Sequence, residues 1–241
     1  SNPSGIENIL TRVTGGNASN ILGTLGVDGA ANLFLINPNG ILFGENARLN
    51  VQGSFVGSTA SGLQFGEQGN FSATNPQAPG LLTVNPNALF FNQINQLSDK
   101  GNITNLARQR GLNNETNVTG GLVGLQVPDG KTLALVGGNV LLDDGNLTAF
   151  GGKIEVASVA GTGTVNLDST KDSFIFNYDA VDDLGEIRLE NTAVVDVSAG
   201  GGGSITINAS NLELKESVII AGIRQGSIQR LPNWCCYLWA R

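Results

Sequence analysis

Short alternating segments, each closed by Gly, Asn or Asp, recur along the second half of the chain and constrain the fold more than any other feature. From Thr132 they run Thr132-Leu-Ala-Leu-Val, Asn139-Val-Leu-Leu, Asn146-Leu-Thr-Ala, Lys153-Ile-Glu-Val and Thr164-Val-Asn-Leu. After an interruption come Glu186-Ile-Arg-Leu, Ala193-Val-Val-Asp-Val, Ser204-Ile-Thr-Ile-Asn, Asn211-Leu-Glu-Leu and Ser217-Val-Ile-Ile. A period of two is that of a half-buried strand. Strand plus turn takes about 7–10 residues, so two or three units make a repeat of roughly 20. Both a β-sandwich and a parallel β-helix fit this spacing. Hairpins of a sandwich call for two-residue primed turns placed regularly, and the gaps here are irregular. The inward positions are small and aliphatic, which suits stacked coils that bury their inner faces against one another. Asn139, Asn166 and Asn208 are expected in turns, stacked as amide ladders.

Composition narrows the function classes. Of 241 residues 40% are apolar and only 14% charged, which excludes a disordered chain. No run of about 18 apolar residues is present, so no transmembrane helix or stable membrane insertion is expected. No signal peptide opens the chain. Net charge is −7, and the 13 Lys and Arg are scattered singly, so neither nucleic acid nor an anionic membrane surface is an expected partner. The acidity serves solubility.

Catalytic and metal chemistry find little support. The absence of His removes Ser-His-Asp and Cys-His triads and most zinc sites. Both Cys lie in the last few residues, as Cys235 and Cys236. The acidic pairs Asp143-Asp144 and Asp182-Asp183 could serve Ca²⁺ or acid–base work. Asp143-Asp144-Gly145 is a turn sequence, though, and neighbouring residues of a strand face opposite ways. Gly200–Gly203 lies between two strands and is a turn, not a phosphate loop. No catalytic residue, metal ligand or cofactor is assigned.

The densest turn chemistry lies in Ala31-Asn-Leu-Phe-Leu-Ile-Asn-Pro-Asn-Gly-Ile-Leu-Phe-Gly44, where one apolar strand enters Asn37-Pro38-Asn39-Gly40 and another leaves it. Pro fixes φ, and Asn and Gly tolerate positive φ. A related turn stands at Asn85-Pro86-Asn87-Ala88-Leu89. These motifs resemble the NPNGI and NPNL motifs of the secretion domain of filamentous-haemagglutinin-type exoproteins, exported by two-partner secretion. The first matches fully at Asn37–Ile41; the second has Ala88 where the family has Leu. Leu133–Val159 is also similar to the family, with Phe150 standing where relatives carry Pro. The resemblance covers about residues 1–224.

The resemblance implies an all-β, right-handed parallel β-helix, with a hairpin around Gly66–Asn70 and extra-helical strands over about residues 64–120. It implies secretion through the periplasm to the cell surface or medium, and passage through a TpsB-type outer-membrane β-barrel whose POTRA domains recognise the chain. Asn37, Pro38, Asn39, Gly40 and Ile41 are the first candidates for partner-linked residues, and Asn85, Pro86, Asn87 and Leu89 the second. The same turns have a purely structural role open to them. A ligand on a host cell or other surface would be met by the full-length exoprotein. Family members begin further upstream with capping strands, so the start at Ser1 is expected to leave an exposed edge. The segment 225–241 shares no pattern with what precedes it, and the native frame is expected to be lost near Gln225. Two alternatives stay open: a β-helical polysaccharide lyase or hydrolase, and the secretion domain of a haemolysin or contact toxin.

Overall fold

The computed structural model describes residues 5–77, 84–92, 101–117, 120–170, 173–223 and 236–240. The described residues are all-β, apart from one 3₁₀ turn at Gly66–Gln68. The first parallel sheet orders β1 (Asn8–Arg12), β4 (Asn32–Ile36), β7 (Phe55–Ser58), β13 (Thr132–Gly137), β16 (Lys153–Ser158) and β21 (Ser204–Asn208). The second orders β2 (Ser19–Ile21), β5 (Ile41–Phe43), β11 (Ile103–Asn105), β14 (Val140–Asp143), β19 (Glu186–Glu190) and β22 (Asn211–Leu214). A third joins β12 (Leu125–Gln126), β15 (Leu147–Thr148), β20 (Val194–Asp196) and β23 (Ser217–Ala221) in parallel, and the pair β3 (Thr24–Gly26) and β6 (Arg48–Asn50) stands by itself. The chain visits these groups in rotation. β1, β2 and β3 are followed by β4, β5 and β6, whose partners lie directly beside them, as in Asn8 against Asn32, Ser19 against Ile41 and Thr24 against Arg48.

A separate antiparallel sheet orders β18 (Phe174–Val181), β17 (Gly163–Ser169), β10 (Ala88–Phe91), β8 (Gly62–Gln64) and β9 (Asn70–Ser72). It explains why β4 is apolar at successive positions instead of alternating. Leu33 and Leu35 enter the core enclosed by the parallel sheets, and Phe34 and Ile36 enter a second core between the first sheet and the antiparallel one. Phe34 meets Phe174 edge to face at 5.3 Å. Each such fully buried side chain contributes about 1.5–3 kcal/mol, and the first sheet gains this on both faces.

The expected hairpin at Gly66–Asn70 is present, with Gln64 opposite Asn70. Two expectations differ from the structure. Thr164–Leu167 belongs to β17, which pairs antiparallel with β10 and β18 and not with the repeats around it. Its burial alternates as a repeat strand's would, and periodicity does not identify the neighbour. The antiparallel elements also depart from the span 64–120: they begin at Gly62 and return at β17 and β18, while β11 lies in the second parallel sheet. The tail contributes β24 (Cys236–Ala240), antiparallel to β23; Cys235 lies outside the described residues.

Polar ladders do join successive parallel strands, at the expected Asn139 and at residues the repeats did not single out. Asn32 donates to Asn8 Oδ1 (2.9 Å) and accepts from the Ser54 amide (2.8 Å), and Ser54 Oγ accepts from the Thr132 amide (3.0 Å). The Asn139 amide donates to Asn102 Oδ1, and Asn139 Oδ1 accepts from the Glu186 amide, both at 3.0 Å. Asn166 instead lies opposite Ala88 and Asn177 in the antiparallel sheet.

Candidate functional site

The Asn37–Ile41 turn links β4 to β5. Its bend closes with the Gly40 amide on the Asn37 carbonyl at 3.1 Å. Asn37 is fully buried, so its amide must be satisfied internally. Nδ2 donates to Ser19 Oγ (2.8 Å) and the Asn17 carbonyl (3.0 Å), and Oδ1 accepts from the Asn39 amide (3.0 Å). Asn39 Nδ2 in turn donates to the Gly15 carbonyl at 2.8 Å. Gly40 has φ +116°, and a Cβ there would stand 3.1 Å from the Asn102 carbonyl oxygen. Pro38 is buried and Ile41 belongs to the inner core. The motif thus ties the loop before β2, the β4–β5 turn and the strand β11 together, and of its five residues only Asn39 reaches solvent in part.

The second motif is built differently. Asn85 and Asn87 are exposed, Pro86 is buried and Leu89 is fully buried in the outer core. Asn85 Oδ1 accepts from Asn8 Nδ2, and Asn87 Oδ1 from the Gly66 amide, both at 2.8 Å. The structure does not bring the two motifs together. Asn85 reaches the first residue of β1, beside Asn32, whereas Asn37 follows the last residue of β4, about 16 Å further along at strand rise.

The acidic pairs lie where strands end: Asp143 is the last residue of β14 with Asp144 in the bend after it, and Asp182-Asp183 follow β18. Asp143 Oδ1 accepts from Asn191 Nδ2 (2.7 Å), and Asp144, at φ +50°, accepts from Thr192 Oγ1 (2.8 Å) and pairs with Arg108. Asp182 accepts from Thr162, and the Asp183 carbonyl accepts from the Ala160 and Gly161 amides.

Sequence reasoning missed two clusters. Glu155 lies between the first sheet and β18, wholly buried. Oε1 accepts from Tyr178 Oη (2.9 Å) and Asn208 Nδ2 (3.0 Å), while Oε2 faces Lys153 Nζ at 3.2 Å. Burial pushes the Glu155 carboxyl above the usual range, against the pull of Lys153 and these hydrogen bonds. Burial and the nearby carboxylate push the Tyr178 phenol up as well. The second cluster gathers Arg48, Arg108 and Arg110, scattered in the sequence, around one open groove of about 570 Å³. The packing of residues 106–110 beside 43–46 makes it: the Leu106 amide meets the Phe43 carbonyl at 2.8 Å and the Arg108 amide the Glu45 carbonyl at 3.2 Å. A lone Arg in a turn signals none of this. Among the described residues no group of three or more His, Cys, Asp or Glu is placed to hold a metal ion, and no helix is long and apolar enough to cross a membrane.

Searches against curated proteins and against solved structures gave no match. The model of the TPS secretion domain matches residues 1–207. That span contains both Asn-Pro-Asn turns, all of the antiparallel sheet and nearly all of the first parallel sheet. It describes a secretion domain and not a catalytic family. The chain therefore belongs to the family of two-partner secretion (TPS) domains.

Proposed function

We propose that residues 1–224 form the amino-proximal secretion domain of a large exoprotein of adhesin or haemagglutinin type, folded as a right-handed parallel β-helix. The partner is a TpsB-type outer-membrane β-barrel, which engages the chain through periplasmic POTRA domains. The family match over residues 1–207 is the observation that carries this reading. The helical architecture is supported by the rotation of the chain through successive parallel strands around a common apolar core. In such a stack each tier contacts its neighbours, so folding propagates as the chain emerges outside the cell. Burial there opposes return and needs no nucleotide hydrolysis.

The two motifs divide the work. Asn37, Pro38, Asn39, Gly40 and Ile41 act through the fold: their burial supports a role in shaping the surface around β2 and β5 and not in touching the partner directly. Asn85 and Asn87 are exposed and are the residues of the second motif able to meet a partner, with Pro86 and Leu89 anchoring them. Receptor binding belongs to the full-length exoprotein at the cell surface.

The test is export. The chain, with its native leader and upstream segment, is expressed with and without a candidate partner barrel, and medium and periplasm are blotted. Barrel-dependent appearance in the medium is expected. Export that ignores the barrel overturns the two-partner reading.

A further inference from the structure

We infer that the groove containing Arg48, Arg108 and Arg110 is a binding site for an acidic peptide segment. The observation is the pairing state of the three guanidiniums. Arg108 is committed: Nη2 meets Glu45 at 2.9 Å and Nη1 meets Asp144. Hydrogen bonds to Glu45 and then Asp144 hold it above its ordinary pKa. Among the described residues the Arg48 guanidinium donates only to Gln109 Oε1, at 3.2 Å, a neutral partner. Arg110 is exposed and makes no hydrogen bond or ion pair among the described residues. In a chain of net charge −7 with 13 basic residues, two guanidiniums without a carboxylate on one concave surface are a local reversal of sign.

The lining selects among anions. A guanidinium fork donates bidentately to a carboxylate. No aromatic side chain lines the groove, so the stacking surface on which sugars and bases are usually held is missing. Leu112, 48% exposed, stands beside the arginines and offers an aliphatic contact. Carboxylate plus aliphatic side chain, presented on an extended backbone, describes a peptide of alternating acidic and aliphatic residues. The platform is firm: Gln109 Nε2 donates to the Glu45 carbonyl (3.2 Å) and to Asn46 Oδ1 (3.0 Å), so the residue that the Arg48 guanidinium meets is itself fixed. The inference rests on this groove alone and stands apart from the export reading.

Fluorescence anisotropy with a labelled peptide alternating Glu and Leu tests it. Saturable binding at low salt is expected, weakening as the Debye length shrinks to about 10 Å near 0.1 M salt. Arg48→Gln with Arg110→Gln should weaken it about tenfold or more, Leu112→Ser should weaken it less, and Lys215→Gln on another surface should not change it. The counterpart peptide with Gln for Glu should not bind. Equal binding by that counterpart, or by the doubly substituted protein, overturns the inference. So does binding confined to inorganic phosphate or to a sulfated polysaccharide. Should the double variant lose its fold by circular dichroism, Arg110→Gln alone decides, because among the described residues Arg110 has no side-chain partner whose loss would disturb the structure.

Discussion

At the residue scale the two Asn-Pro-Asn turns look alike in sequence and differ in what their side chains do. Asn37 is fully buried and spends both ends of its amide on Ser19, Asn17 and Asn39. Truncating it strands buried donors and acceptors, at a cost of about 1–3 kcal/mol. Gly40→Ala places a Cβ against the Asn102 carbonyl at a φ that L residues avoid, costing about 1–3 kcal/mol. Asn87→Ala, at an exposed position, should cost about 0.5 kcal/mol or less. Urea unfolding of the three variants measures this ordering. An Asn37→Ala protein as stable as wild type would show that the turn is not a structural keystone, and would return it to direct partner contact. Loss of export by Asn37→Ala is therefore interpretable only beside its stability, whereas loss of export by a stable Asn87→Ala points to recognition.

At the element scale the first sheet works because it is covered twice. Its odd-numbered β16 residues Lys153, Glu155 and Ala157 face the antiparallel sheet, and Glu155 brings a carboxyl into that layer. The Glu155 carboxyl is raised from its ordinary 4.5, so the folded chain holds this proton more tightly than the unfolded one. The contribution to stability is then complete below about pH 4.5 and is lost as pH rises through the raised value. Thermal midpoints of wild type and Glu155→Gln across pH should converge at low pH. The wild-type curve should fall more steeply above pH 4.5 than the variant's; parallel curves would exclude Glu155 as the titrating group. None of this was legible in Lys153-Ile-Glu-Val, where Glu155 reads as the solvent face of an alternating strand. The strands themselves were legible, because alternation and turn residues are local: β4, β5, β13, β14, β16 and β19 fall where their patterns place them. What lay opposite them was not. Val165 and Leu167 alternate as well as Ile187 and Leu189 do, yet the first pair serves the outer core and the second the inner. Arg48 and Arg110 escaped for the same reason, since the groove depends on which distant loops pack side by side.

At the scale of the whole molecule, the parallel sheets are ordered arrays in which each strand has a neighbour on either side except at the ends. The middle strands are sealed: β7 and β13 are buried at every position. The terminal strands are not. β2 and β3 have no buried residue, and neither does β22. Their apolar residues Ile21, Leu25 and Leu214 are only half-buried against the inner core. Because each strand of a parallel sheet pairs only with the strands beside it, the free energy of opening should rise from both ends toward the middle instead of being uniform. Amide hydrogen exchange is the measurement. Protection should be greatest in β7, β13 and β16, lower in β1 and β21, and least in β2, β3 and β22. The antiparallel strands β8 and β10 should exchange with β7, since Leu63 and Leu89 share the outer core with Val56. Equal protection from β1 to β23 would mean that the molecule opens as a single cooperative unit, and that tier-by-tier folding cannot be what draws the chain outward.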